Sequence, residues 1–142
     1  MRIGAARIAA IIIAMAVSPA SATKRIADDP GGQLGPYLQK LDALRSSGER
    51  VRIDGRCLSA CTMVLGAIPR DHICVTPRAQ FGFHAAWRPE AGHQVTSPEG
   101  TELLMSNYPQ QVREWIARRG GLSPHMMYLA GRELASMYPT CP

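Results

Sequence analysis

One short segment, residues 57–61, constrains the fold of this chain more than any other. Val51 and Ile53 belong to an apolar run that predicts a short buried strand, which we expect to end at Gly55. Residues 60–65 are small or apolar and favour a buried helix. Ser59 lies between the two, flanked by Cys57 and Cys61. The segment therefore predicts a strand-to-helix corner with a serine on it.

The serine at this corner has two interpretations. A hydroxyl at a helix N-terminus lies where unpaired N–H groups and the helix dipole stabilise developing negative charge, which suits a nucleophile. Serine is also among the commonest N-cap residues, and a capping role needs no chemistry. A catalytic role for Ser59 requires a nearby base and N–H donors.

The rest of the chain alternates between strand and helix patterns. Strands are predicted at residues 24–27, 51–54, 72–76 and 81–87, and helices at 33–47, 59–67, 97–116 with a break at Pro109, and 124–137. The last helix is predicted because Ser123-Pro124 resembles an N-cap followed by a first-turn proline. Residues 88–98 are polar and rich in glycine and proline, which predicts a loop. This order favours an α/β fold.

The N-terminus has the pattern of a secretory signal peptide. A basic start is followed by an apolar run over residues 8–17 and by a small-residue site that ends at Ala22. We expect a signal peptide at 1–22 and one domain at 23–142, which places the protein in the periplasm or outside the cell. The apolar run is too short to span a bilayer comfortably, although an uncleaved membrane anchor stays open as an alternative.

Four cysteines, Cys57, Cys61, Cys74 and Cys141, fit an exported protein with up to two disulfides. The sequence does not choose among the three pairings. A zinc site made of these thiolates and His72 is the alternative, but no second matching cysteine pair follows the first. Disulfides are favoured because export implies an oxidising compartment. No metal and no cofactor is expected.

The charge of the chain argues against a nucleic-acid partner. The sequence has 16 basic and 11 acidic side chains, so removal of Arg2 and Arg7 with the signal peptide leaves 14 against 11. This excess is mild and spread along the chain. Aromatic residues do not alternate with basic ones as they would in a platform for nucleic-acid bases.

His84 and the Gly31-Gly32 pair are the candidate partners of Ser59. His84 ends a strand-like run, where an imidazole can be held at a sheet edge. The alternative for His84 is a half-buried histidine bonded to the backbone. Glycine allows the backbone to approach a substrate closely, although Pro-Gly-Gly by itself is an ordinary turn.

The ordered set Pro30-Gly31-Gly32, helix, strand, Ser59, strand and His84 resembles the Clp protease proteolytic subunit. It is closer to a group of exported bacterial proteins that share the Clp protease/crotonase fold. Gly32 precedes Ser59 by 27 residues and His84 follows it by 25, as in that family. The resemblance covers residues 26–87 well and implies a small twisted sheet with flanking helices. By the resemblance, we expect the mature chain to be truncated relative to the family, without the family's earlier strands.

The resemblance also implies roles for individual residues. Ser59 would be the nucleophile and His84 the general base, and the oxyanion hole would use the N–H of Ala60 with one from Gly31 or Gly32. The family's acid lies in the C-terminal part, where Glu133 stands at the matching distance. The cysteines and Leu58 around the serine depart from the family pattern, and a disulfide there would brace the corner.

Three functions stay open from the sequence. The first is an exported serine hydrolase, most simply a peptidase, which acts on short peptides or small acyl substrates because no surface for an ATP-driven unfoldase is visible. The second is a non-catalytic periplasmic binding or assembly module that retains the fold. A thiol or metal protein is a third. An exposed apolar helix face between Glu99 and Ile116 would favour a homo-oligomer.

Overall fold

The computed structural model describes residues 22–142, so the predicted signal peptide lies outside the described residues apart from Ala22. The strands are β1 (Thr23–Asp29), β2 (Arg50–Leu58), β3 (Ile73–Val75), β4 (Gln80–Phe83), β5 (Trp87–Glu90), β6 (His93–Thr96) and β7 (Met127–Ala130). The α-helices are α1 (Leu34–Ser47), α2 (Val64–Ala67), α3 (Pro98–Asn107), α4 (Gln110–Ala117) and α5 (Gly131–Met137). Two 3₁₀ helices, Ser59–Met63 and Arg70–His72, complete the order.

Strand β2 organises the main sheet. On one side it pairs in parallel with β1. On the other side its first half pairs in parallel with β3 and its second half with β4. Strand β7 joins the free side of β4 in antiparallel orientation. The mixed α/β fold predicted from the sequence is confirmed, with helices flanking a mainly parallel sheet.

Strand β2 is longer than the sequence predicted, because it does not end at Gly55 but continues to Leu58. The pairing of β1 with β2 shifts by one residue between Ile26 and Asp28, which marks a bulge. A Cβ atom on Gly55 would lie 1.8 Å from the carbonyl oxygen of Ala27. Gly55 therefore marks close approach of two strands, a role that glycine often has inside a sheet.

Two other predictions were wrong. The stretch expected to be a loop forms an antiparallel hairpin of β5 and β6, whose turn places Ala91 and Gly92 at φ 48° and 80°. The helix expected from Ser123 to Met137 is instead β7 followed by the short helix α5. The Ser123 hydroxyl accepts a hydrogen bond from the His125 N–H, so it closes a turn and does not cap a helix.

The helices α1, α3 and α4 agree with the sequence prediction. The break at Pro109 separates α3 from α4, and the Ser97 hydroxyl caps α3 by accepting from Gly100 N–H at 3.1 Å. Helix α4 packs Val112, Trp115 and Ile116 into the core, where Trp115 contacts Phe83.

The apolar face expected between Glu99 and Ile116 is turned to the core. Leu104, Val112, Trp115 and Ile116 are buried, and Leu103 is the one large apolar side chain of that stretch that is exposed. The residues expected to favour a homo-oligomer are therefore used inside the domain.

All four cysteines are paired, Cys57 with Cys61 and Cys74 with Cys141. Thiols in disulfides cannot ligate zinc as thiolates, which removes the basis of the zinc alternative. The second disulfide ties the C-terminal tail to β3, as does the hydrogen bond from Val75 N–H to the Pro139 carbonyl. Two disulfides are consistent with an oxidising, extracellular environment. Among residues 22–142, no helix has the length and apolar character needed to cross a membrane.

Candidate active site

Ser59 occupies the corner between β2 and the 3₁₀ helix that follows it. Its φ of 55° lies in the left-handed region, which costs a non-glycine residue about 1–2 kcal/mol. The interpretation of Ser59 as an N-cap is wrong. The N-cap residue of the 3₁₀ helix is Leu58, and no side chain caps that helix. Instead the Ser59 hydroxyl points to an imidazole.

That imidazole is His84, the first residue after β4. Its Nε2 lies 2.9 Å from the Ser59 Oγ, and its Nδ1 lies 2.6 Å from the carbonyl oxygen of Ala85. Because β2 and β4 pair in parallel, the ends of both strands meet at one edge of the sheet, which places the two residues together. A base within hydrogen-bond reach of a hydroxyl is the geometry that activates a serine nucleophile.

The corner is held from inside by several contacts. The Cys57–Cys61 disulfide spans it, and both cysteines are fully buried. The Thr62 hydroxyl donates to the Ser59 carbonyl at 2.6 Å and also contacts the Tyr108 hydroxyl at 2.6 Å. Burial raises the pKa of Tyr108 to about 12, although its bond with Thr62 acts in the opposite sense. Tyr108 is therefore neutral near neutral pH and acts here as a hydrogen-bonding core residue.

Gly31 packs directly against the serine corner. A Cβ atom on it would lie 2.5 Å from the Leu58 carbonyl oxygen and 2.7 Å from the Ala60 nitrogen, so no other residue fits without a shift. Its own N–H donates to the Asp29 carboxylate at 2.9 Å. Of the two glycines, Gly32 lines the cleft at Ser59. The Gly31 N–H is thus engaged by Asp29, while Gly32 borders the cleft beside Ser59.

Asp29 fixes this glycine loop, a role that was not predicted from the sequence. Its carboxylate accepts from the Tyr37 hydroxyl at 2.7 Å and from the Lys40 ammonium at 3.1 Å, in addition to Gly31. Burial by itself would raise the pKa of Asp29, but these donors outweigh it and lower the pKa below the ordinary value. Burial and the neighbouring carboxylate raise the pKa of Tyr37. The spacing of Asp29, Tyr37 and Lys40 along β1 and α1 is the signal that could have revealed the cluster.

A cleft of about 300 Å³ opens in front of Ser59 and His84. Its walls are mostly apolar or backbone and come from the glycine loop, the start of α1, the end of β2 and the segments after β4: Pro30, Gly32, Gln33, Leu34, Leu58, Ala86, Trp87, Leu104 and Met126. Trp87 is half exposed at this cleft. Such a concave apolar site with a few convergent polar groups is typical of small-ligand sites.

Glu133, which the resemblance predicts as the acid of the triad, contacts Arg119 and not His84. Its carboxylate forms an ion pair with Arg119 at 2.8 and 2.9 Å, and both side chains are partly exposed. In the described part of the chain, the hydrogen-bond partners of His84 are the Ser59 hydroxyl and the Ala85 carbonyl, with no carboxylate among them. The structure therefore brings Ser59, His84 and the glycine loop together and does not bring Glu133 to His84.

The fold is similar to that of a solved peptidase. A peptidase from Plasmodium falciparum matches with a TM-score of 0.52 at 6% sequence identity, over 82% of this chain and 75% of that chain. No protein-family model matches the sequence, and no curated protein matches it either. The similarity shows a peptidase-like fold and, at this identity, nothing about activity.

Proposed function

We propose that this protein is an exported serine hydrolase with a Clp-protease-like fold, and that it acts as a peptidase on short peptides. The observation that carries the proposal is the 2.9 Å contact between His84 Nε2 and the Ser59 Oγ at a positive-φ corner. An unfavourable backbone conformation that points a hydroxyl at a base is typical of functional sites. The similarity to a solved peptidase supports the fold.

The geometry suits an acyl-enzyme mechanism. Ser59 Oγ would attack the scissile carbonyl carbon while its proton passes to His84 Nε2. The resulting oxyanion would accept hydrogen bonds from the N–H groups of Ala60 and Gly32. The proton on Nε2 then goes to the leaving amine, the C–N bond breaks, and an acyl-serine remains. Water, deprotonated by the same nitrogen, would release the acid and restore the hydroxyl.

Substrate size and location follow from the cleft and the sequence. A cleft of about 300 Å³ with apolar walls admits a few residues of an extended peptide, so short peptides are proposed, with no ATP-driven unfoldase as partner. Export rests on the signal-peptide pattern of residues 1–22 and is supported by two disulfides.

One observation favours the non-catalytic module. The Nδ1 of His84 meets a backbone carbonyl where serine peptidases of the triad type have a carboxylate. A neutral acceptor stabilises the imidazolium less than a carboxylate does, which would lower turnover. The module therefore stays the second candidate.

A fluorophosphonate probe distinguishes the two, because it reacts covalently with activated serine hydroxyls. Wild-type protein should be labelled in the folded state, and Ser59→Ala and His84→Ala should lose the label. Ser106→Ala serves as the matched control, because within residues 22–142 that exposed hydroxyl bonds only to the carbonyl of Leu103 in its own helix. Equal labelling of wild type and Ser59→Ala, or no labelling of either, would reject the hydrolase in favour of the module.

A further inference from the structure

The backbone carbonyl of Ala85 determines which nitrogen of His84 carries the proton. A carbonyl oxygen can only accept a hydrogen bond, so the 2.6 Å contact requires that Nδ1 carries the proton. In neutral imidazole the other nitrogen then has a lone pair. That nitrogen, Nε2, faces the Ser59 hydroxyl at 2.9 Å. The Ala85 carbonyl thus selects the tautomer that can take the serine proton.

The peptide group that contains this carbonyl is held at its other end by a side chain. The N–H of Ala86, which belongs to the same peptide unit, donates to the Thr101 Oγ1 at 3.0 Å. The Thr101 hydroxyl in turn donates to the Ser97 carbonyl at 2.8 Å, one turn earlier at the start of α3. A continuous line of hydrogen bonds therefore runs from Ser59 through His84 and the 85–86 peptide to Thr101.

Two more bonds fix the flanking backbone. The Ala85 N–H donates to the Ser123 carbonyl at 2.7 Å, and the Ser97 N–H donates to the Ala86 carbonyl at 2.8 Å. Ala85 and Ala86 are both buried. Among residues 22–142, the side chains bonded to this peptide are those of His84 and Thr101. Substitution of Thr101 can therefore loosen the peptide without touching the imidazole.

We propose that the peptide group between Ala85 and Ala86 replaces the carboxylate of a catalytic triad, and that Thr101 is the positioning residue that holds it. This rests on the proposed hydrolase function. An acceptor on the N–H side of a peptide polarises its carbonyl, because linked hydrogen bonds strengthen one another. The carbonyl then orients His84 and stabilises the imidazolium, which are the tasks of the acid in a triad. Thr101 does not line the cleft in front of Ser59.

The test compares Thr101→Val, which keeps the shape and removes the hydroxyl, with Thr101→Ser, which restores the hydroxyl. Protein labelled with ¹⁵N and ¹³C gives the Nδ1 proton resonance of His84 and its coupling through the hydrogen bond to the Ala85 carbonyl carbon. We expect this coupling in wild type, a weakened bond in Thr101→Val, and recovery in Thr101→Ser. Fluorophosphonate labelling should slow on the order of tenfold in Thr101→Val, as a misplaced catalytic group does, and recover in Thr101→Ser. Ser106→Ala, on the same helix, should match wild type.

Each result decides the proposal. Wild-type protein whose Nδ1 proton couples to a side-chain carboxylate would overturn it, and this measurement needs no variant to fold. A Thr101→Val protein with an unchanged Nδ1 resonance and labelling rate would overturn it too. Glu133→Gln separates the two orienting groups: an unchanged Nδ1 resonance supports the peptide, and its loss supports Glu133. If wild-type protein is not labelled by the probe but Thr101→Val still perturbs the Nδ1 proton, the proposed hydrolase function is rejected. The role of Thr101 in positioning His84 would then still be supported.

Discussion

At the scale of single residues, the conformation of Ser59 is the feature that most needs a functional reason. A φ of 55° is unfavourable for a serine, and the corner is braced by a buried disulfide and by the Thr62 hydroxyl. A packed domain that only needed a turn here would be more stable with glycine. We infer that the serine is retained for its hydroxyl, at a cost in stability.

This inference predicts a difference between two variants that both lack the hydroxyl. Ser59→Gly relieves the unfavourable φ and Ser59→Ala keeps it, so the glycine variant should be more stable by about 1 kcal/mol. Urea unfolding at equilibrium measures the difference. An alanine variant as stable as the glycine variant would show that Ser59 is not under backbone strain.

At the scale of elements, the site forms where the β1–α1 loop, the end of β2 and the end of β4 meet. The sequence predicted the order of these elements, because the strands and α1 have clear apolar patterns. The proximity of Ser59 and His84 could be expected from the resemblance and from the parallel order of the strands. The local pattern predicted a helix where β7 lies, because it holds no information about tertiary pairing. The segment is a strand because it pairs with the edge of β4. Thr101 carried no signal, because its partner is a backbone group 15 residues away.

The glycine loop gives a prediction at this scale. Gly31 and Gly120 have similar φ values, 86° and 90°, but a Cβ atom on Gly31 meets the serine corner while one on Gly120 meets open space. Both alanine variants should lose stability, by about 1 kcal/mol for Gly120→Ala. Gly31→Ala should in addition slow fluorophosphonate labelling at least on the order of tenfold, because it displaces the corner and the donors.

Labelling rates and unfolding curves of the two glycine variants together provide the check. Similar labelling rates in both would mean that the close approach of Gly31 does not matter to the site. If Gly120→Ala is also labelled slowly, general destabilisation would explain the slower labelling of Gly31→Ala.

At the scale of the whole molecule, Asp54 on β2 links its strand to β1 and to the segment that follows β3. Its buried carboxylate accepts from Arg78 and Arg25, each at 2.7 Å, and from the Thr76 hydroxyl at 2.9 Å. Hydrogen bonds from Arg78, then Arg25 and Thr76, hold the pKa of Asp54 well below its usual range. The cluster joins β1, β2 and the segment between β3 and β4, close to the bulge between Ile26 and Asp28.

This cluster predicts how stability depends on pH. Because the folded pKa of Asp54 is lower than its unfolded pKa, the carboxylate stabilises the fold above about pH 4. The contribution is lost as pH falls through the folded pKa. Asp54→Asn should therefore be less stable than wild type at neutral pH, and the difference should shrink as the solution is acidified. Urea unfolding over a pH series measures it. A constant difference at every pH would contradict the ionised cluster.

The central claim is that His84 activates Ser59 as a nucleophile, and the most direct measurement is the mass of the acylated protein. Folded wild-type protein is mixed with an activated acyl ester, quenched in acid and digested, and the acylated peptide is identified by mass spectrometry. The account predicts one acyl group on Ser59, and none there in His84→Ala over the same time. Acyl groups only on lysine side chains, or equal acylation of Ser59 with and without His84, would contradict it.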